Sequence, residues 1–476
     1  MIIPVSTSED ASGPRGEFHL AYVWLVASAG ALGGLLFGYD WVVIGGAKPF
    51  YERYFQLDSP SLEGWAMSCA LIGCLLGAVS SGGLSSRFGR KRLLTLAALV
   101  FAISSLGTGL AGQFSAFVLW RMLGGYAIGL ASGISPMYIA EISPAHLRGR
   151  LVSLNQLAIV FGILLAQVVN WLIARPVPIA STAHEILVSW NGQWAWRWMF
   201  AVTAVPSVLF LVATFLVPES PRWLASKGRD RQALAILKRL GGLSYAERVL
   251  NDFKAAGADQ PQMSLLRELA APGMAKVLVL GVVLAILQQW CGINVIFNYA
   301  QEIFASAGYQ VSDILFNIVV TGAVNVVFTL IALVAIDRFG RRFLLLTGIS
   351  GLVAIYTLLG ALYHLHIQGK PMLVLVLAAI ACYAMSLAPA TWVVISEIFP
   401  NRIRGGAMSI AITALWTACF LLTYTFPLLN ARLGAAGTFW TYAVICLAGL
   451  LFLSFRLPET KGKTLEQIET DLRASK

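Results

Sequence analysis

A chain of 476 residues that is 58% hydrophobic and only 12% charged, with a mean hydropathy of +0.75, carries too little polar surface to cover a water-soluble globule. Its net charge of +11 raises nucleic acid as a partner. The Lys and Arg residues, however, fall on alternate loops between apolar runs, whereas a nucleic-acid surface gathers them on one face of a soluble domain. The reading is an all-α integral membrane protein whose partner is the lipid bilayer, with no nucleic acid.

About twelve runs reach the roughly 20 apolar residues that a membrane-spanning helix needs. They begin near Ala21, Glu63, Leu93, Ser115, Leu151, Arg197, Ala275, Asp313, Phe343, Met372, Gly405 and Ala435. Polar residues including Glu9, Asp10, Arg15 and Glu17 precede the first run, which is also too long for a cleavable signal. One set of loops holds Arg87, Arg90 to Arg92, Arg148, Arg150, a basic stretch from Arg222 to Arg267, Arg338, Arg341, Arg342, Arg402, Arg404, Lys461 and Lys463. The other set holds little beyond Lys48, Arg53, Arg175, Lys370 and Arg432, which places both termini in the cytoplasm. Short outer loops and the lack of an N-x-S/T sequon favour a bacterial inner membrane. All six cysteines lie inside expected spans, so no disulfide, metal site or cofactor is expected.

Charged and amide side chains inside these runs carry the chemistry. Asp40 lies well inside the first span, and a carboxylate there is a functional site by default. Arg121, at the start of the fourth span, is its natural partner. Burial and a nearby guanidinium act on a carboxyl in opposite directions, so approach and separation of the pair can toggle protonation. Further along, Leu287 to Tyr299 holds Gln288, Gln289, Asn294 and Asn298. Read as one continuous helix, it aligns Gln288, Gly292, Val295 and Tyr299 on a face. Unpaired amides in hydrocarbon cost several kcal/mol each, so this face belongs on a wet cavity or a protein interior. Glycines such as Gly30, Gly34, Gly73, Gly77, Gly125 and Gly129 are assigned to close helix packing, and the histidines receive no chemistry.

Three landmarks recur in order. Arg87-Phe88-Gly89-Arg90 returns as Arg338-Phe339-Gly340-Arg341. Glu141-Ile142-Ser143-Pro144 with Arg148 returns as Glu397-Ile398-Phe399-Pro400 with Arg404. Pro218-Glu219 returns as Pro458-Glu459. The chain therefore reads as two six-helix halves, 21–217 and 274–456, joined by a cytoplasmic helical linker, 218–273, with tails 1–20 and 457–476. Arg87, Arg90, Arg338 and Arg341 are expected to pair with Glu141, Glu397, Glu219 and Glu459, latching the cytoplasmic side shut. Duplicated halves of this kind bind substrate between them near the midplane.

These motifs, together with P-E-S-P-R-W-L at 218–224 and Q-Q-W-C-G-I-N-V-I-F-N-Y at 288–299, resemble the sugar porter family of the major facilitator superfamily over almost the whole chain. Within the family the chain is similar to the bacterial proton-coupled xylose branch and, more distantly, to the mammalian facilitative glucose branch. The resemblance implies the major facilitator fold, a monosaccharide substrate (pentose or hexose) and transport by alternating access. It implies substrate contact by Gln288, Gln289, Asn294, Asn325 and Trp392, with Trp416 and Phe37 as wall residues and Asp40–Arg121 as the proton-coupling pair. Amides and hydroxyls both donate and accept, and an indole offers an apolar face to sugar C–H groups, so the chemistry agrees. The chain departs from the pattern at Ile163 and Leu415, where glutamines stand in the xylose branch, at Asn298, where a tyrosine stands, and on the sixth helix, where Thr203 stands near the place of a further acidic partner that the family has. Gln167, one turn beyond Ile163, is a candidate substitute. A proton symporter is expected, working as a monomer, with a proton-independent uniporter as the alternative and a sugar sensor behind it. An ATP-driven pump lacks its phosphate loop, and an enzyme lacks a nucleophile–base pair or metal cluster at membrane depth.

Overall fold

The computed structural model describes residues 18–177, 182–258, 272–306, 308, 311–399 and 404–459. Most of the N-terminal tail, part of the linker, residues 400–403 of the second Glu-Ile-Phe-Pro motif and the C-terminal tail lie outside the described residues, as does the Arg404 side chain.

The N-terminal half contains α1 (Leu20–Phe55), α2 (Pro60–Phe88), α3 (Arg90–Leu110), α4 (Phe114–Ile142), α5 (Arg148–Ile173), the short α6 (Ala183–Val188), and a sixth span made of α7 (Trp196–Ala201) and α8 (Ala204–Leu216). The linker holds α9 (Pro221–Ser226) and α10 (Asp230–Ala258), which kinks at Gly241 and Gly242. The C-terminal half contains α11 (Pro272–Trp290), α12 (Ile293–Asn298), α13 (Ala300–Ser306), α14 (Val311–Phe339), α15 (Arg341–His364), α16 (Lys370–Met385), α17 (Leu387–Ile398) and α18 (Arg404–Arg456).

Eleven of these stretches are long and apolar enough to cross a bilayer, and the last of them runs for 51 residues. At 1.5 Å per residue it would extend about 76 Å, more than twice the hydrocarbon thickness. Gly434, at φ 67°, divides it into two crossings, so eleven stretches make twelve spans. Some boundaries have a local cause in the sequence. Ser59 accepts a hydrogen bond from Leu62 N with Pro60 in the first turn of α2, a standard helix start.

Within the N-terminal half, α1 packs on α5 and α2 on α4. Glycines permit the second of these: a Cβ on Gly125 would meet the Ala70 carbonyl, and one on Gly73 the Met122 carbonyl. The halves meet where α2 runs beside α18, α5 beside α14, and the last turns of α1 beside α12 and α13. That last contact lies at the end away from Phe18 and the linker, called outer below. The linker packs on the other end, where Trp223 Nε1 donates to Ser86 O and the Phe18 ring meets those of His146 and Tyr245.

One expected element is corrected. Residues 287–299 do not form one helix: Gly292, at φ 85°, ends α11, and α12 starts at Ile293. Apolar periodicity carries no information about a single left-handed glycine, so the aligned face of Gln288, Gly292, Val295 and Tyr299 is divided at its midpoint.

Candidate functional site

From Leu36 to Tyr51 every residue of α1 is buried except Phe37 and Trp41. Those two rings meet edge to face with centroids 5.6 Å apart, and both meet Trp416 of α18, at 5.7 Å and 6.1 Å. Trp416 belongs to the opposite half, so the two half-buried rings face the seam between the halves. Leu415 and Ile163 are buried, Ile163 on α5 and Leu415 next to Trp416 in sequence.

Across the seam the break in α11 organises the amides. Asn294, in the first turn of α12, donates its Nδ2 to Gln289 Oε1, and Gln289 Nε2 donates to Gln288 Oε1 at 2.8 Å. The relay engages neither Gln288 Nε2 nor Asn294 Oδ1, so it ends in a donor on one side and an acceptor on the other, the pair that a hydroxyl matches. All three amides are buried, and Trp290 Nε1 donates to Ala418 O to tie the break to α18. Discontinuous helices at membrane depth occur where backbone lines a protein-enclosed site.

Asn325 is buried on α14, one turn after Thr321, and Gln167 Nε2 donates to Thr321 Oγ1 at 3.4 Å. Gln167 is thus seated where α5 meets α14, with its Oε1 buried and unpartnered. Trp392 is half-buried on α17, beyond the interruption at Ser386 between α16 and α17. Asn298 is buried in the last turn of α12 with an unpartnered Oδ1.

Asp40 and Arg121 meet as expected. Arg121 Nη1 donates to Asp40 Oδ1 at 2.5 Å, with the residues 6% and 4% exposed, and the guanidinium lies over the Phe200 ring at 5.3 Å. A buried pair is costly to break one-sidedly, because it leaves an uncompensated charge. Asp40 adjoins Trp41, so the ion pair and the aromatic wall share one turn of α1.

At the ends of the spans opposite the outer one, the duplicated motifs build the same device twice. Arg90 Nη2 contacts Glu141 Oε1 at 2.8 Å, and Arg341 Nη2 contacts Glu397 Oε1 at 3.2 Å. Glu219 Oε1 accepts from the backbone N–H groups of Arg90 and Lys91, and Glu459 accepts from those of Arg341 and Arg342. Each Glu therefore caps the first turn of the next helix, where the helix dipole favours an anion. Gly89 and Gly340, at φ 95° and 90°, turn the chain and leave the space that the carboxylates fill. Both ion pairs join helices of one half rather than bridging the two. Arg87 and Arg148 are exposed, and Arg87 and Arg338 lie over Phe88 and Phe339.

Comparison with known proteins completes the picture. The family described as "Sugar (and other) transporter" matches residues 26–472. The chain belongs to this transporter family. It is 38% identical to the D-xylose-proton symporter of Escherichia coli (strain K12), covering 95% of this chain and 96% of that one. It is 39% identical to the arabinose-proton symporter of Bacillus subtilis (strain 168), covering 94% and 95%. Among solved structures, the partially occluded inward-open conformation of the xylose transporter XylE from E. coli is similar, with a TM-score of 0.82 at 36% identity over 93% of this chain and 100% of that one.

Sequence reasoning missed Trp41 and an outer charged group around Lys48. Trp41 sits i+4 from Phe37, a spacing that could have singled it out.

Proposed function

We propose that this transporter imports a monosaccharide, xylose-like or glucose-like, by alternating access coupled to proton symport. The observation that carries the reading is the buried Asp40–Arg121 pair on the same turn of α1 as the aromatic wall. Protonation of Asp40 weakens its hold on Arg121, and sugar between Trp41, Trp416 and the amide relay is positioned to register that change through α1. Gln288, Gln289, Asn294 and Asn325 read hydroxyls, Trp392, Trp416 and Phe37 pack on C–H faces, and Gln167 contributes from α5. The named relatives, symporters of xylose and arabinose with protons, support the same assignment. In this reading the protein works as a monomer in a bacterial inner membrane with both termini in the cytoplasm, and the paired Arg–Glu motifs stiffen the cytoplasmic ends of each half.

The test is uptake of labelled xylose, glucose, galactose and arabinose into proteoliposomes, with and without an inward proton gradient, for the native chain and Asp40→Asn. Gradient-driven accumulation that Asp40→Asn abolishes while exchange persists is the expected result. A sugar that equilibrates equally in both conditions makes the protein a uniporter and Asp40–Arg121 a structural pair.

A further inference from the structure

At the outer end, four charged side chains that sugar and proton handling leave unused meet across the seam. Lys48 is 2% exposed near the end of α1. Its Nζ lies 2.8 Å from Glu52 Oε1, one turn further on, and 3.6 Å from Glu63 Oε2, in the first turn of α2, and it donates to Glu302 Oε1 on α13. The Tyr299 ring faces the ammonium at 5.3 Å. Glu302 and Tyr299 belong to the C-terminal half and the other three to the N-terminal half.

One ammonium therefore serves three carboxylates whose oxygens lie within 4.8 Å of one another. Like charges this close repel strongly in a partly desolvated site, and two of them sit on one half with the third on the other. Lys48, bonded to Glu302, offsets that repulsion across the seam; without it the carboxylates drive the halves apart. The backbone around the cluster is in close contact: a Cβ on Gly45 would press on the Phe297 and Asn298 carbonyls, and one on Gly64 on that of Tyr424. Such approaches exist only while the outer ends are together.

We infer that Lys48 is the latch of an outer gate, closed here by its bond to Glu302 and released each time the transporter opens outward. A buried ion pair suits this task, because its Coulomb gain is largely offset by desolvation and the closed and open states stay close in free energy. The inference rests on alternating access, and accessibility is read separately from uptake, so failure of the latch and failure of the transport reading are distinguishable.

The experiment measures how fast a membrane-impermeant maleimide, added outside intact cells, labels Phe297→Cys, a position buried on the seam. Labelling without this substitution gives the native-cysteine background. It is followed with the latch intact, in Lys48→Met, in Glu302→Gln, and in the exchange Lys48→Glu with Glu302→Lys, which keeps one ammonium and three carboxylates. Labelling is expected to be slow with the latch intact and roughly tenfold faster in each single variant, the response to a shift of about 1.4 kcal/mol. In the exchange it returns towards the slow rate. Equal rates in all backgrounds overturn the latch. An exchanged protein that labels as fast as the single variants overturns the ion pair as its cause. Where Lys48→Met fails to reach the membrane, Glu302→Gln and the exchange decide the matter alone, and sugar uptake measured in the same cells reports separately on transport.

Discussion

Gln289 is the only member of the amide relay that both donates and accepts within it. Gln289→Leu keeps the volume close but strands Gln288 and Asn294, and leaving buried polar groups unpaired costs about 1–3 kcal/mol. The expected outcome is an apparent affinity for the transported sugar roughly tenfold or more weaker in exchange assays, with unchanged expression. Gln167→Ala carries a sharper question, because its Nε2 already has Thr321 as a partner. If Gln167 also serves the sugar, affinity falls; an unaltered apparent affinity assigns it to the α5–α14 contact alone. Asp40, Arg121 and the amides were legible in the sequence because polar side chains are rare in apolar runs and each one demands an explanation. Lys48 was equally rare, but topology had absorbed its charge, and Glu302 lies 254 residues away. No local pattern brings those two together.

At the scale of elements, the repeated Arg-Phe-Gly-Arg motif gains a physical cause. Its glycine takes a left-handed conformation, and a carboxylate from the end of the same half fills the space beside it to cap the next helix. Gly340→Ala forces a side chain into a positive-φ backbone that essentially only glycine adopts, a cost of about 1–3 kcal/mol, and pushes Glu459 from its cap. Purified protein in detergent is expected to unfold at a lower temperature in Gly340→Ala and in Gly89→Ala. Gly149→Ala, where a Cβ meets nothing within 4 Å, is expected to leave the transition where it is. The duplicated spans were legible from hydropathy and the repeated motifs. The break at Gly292 was not, since a glycine inside an apolar run looks the same whether it packs within a helix or ends one. The capping by Glu219 and Glu459 was not legible for a related reason: sequence shows a carboxylate near arginines, but the backbone N–H groups at a helix start that also bind it have no letter in the sequence.

For the molecule as a whole, a site assembled from both halves has a thermodynamic signature that a site within one half lacks. In the proposed site, sugar between Trp41 on α1, Trp416 on α18 and the relay at the α11–α12 break would bind the folded, closed-up arrangement and not the separated halves. Binding at one hundred times the dissociation constant adds about 2.7 kcal/mol to stability. The transported sugar is therefore expected to raise the unfolding temperature of the detergent-purified protein in the absence of any membrane gradient, and sugars that are not carried leave it unchanged. Trp416→Ala on α18 and Gln289→Leu at the end of α11 should each reduce that rise. Glu302→Gln belongs to the outer seam, so it should keep the sugar-induced rise while changing outer accessibility. A loss of the rise in Glu302→Gln as large as in Gln289→Leu would mean that the outer charges and the sugar site act as one unit. The distance along α1 from Trp41 to Lys48, seven residues or about 10 Å of helix, argues that they are separate devices on one rigid element, with α1 carrying movement from one to the other.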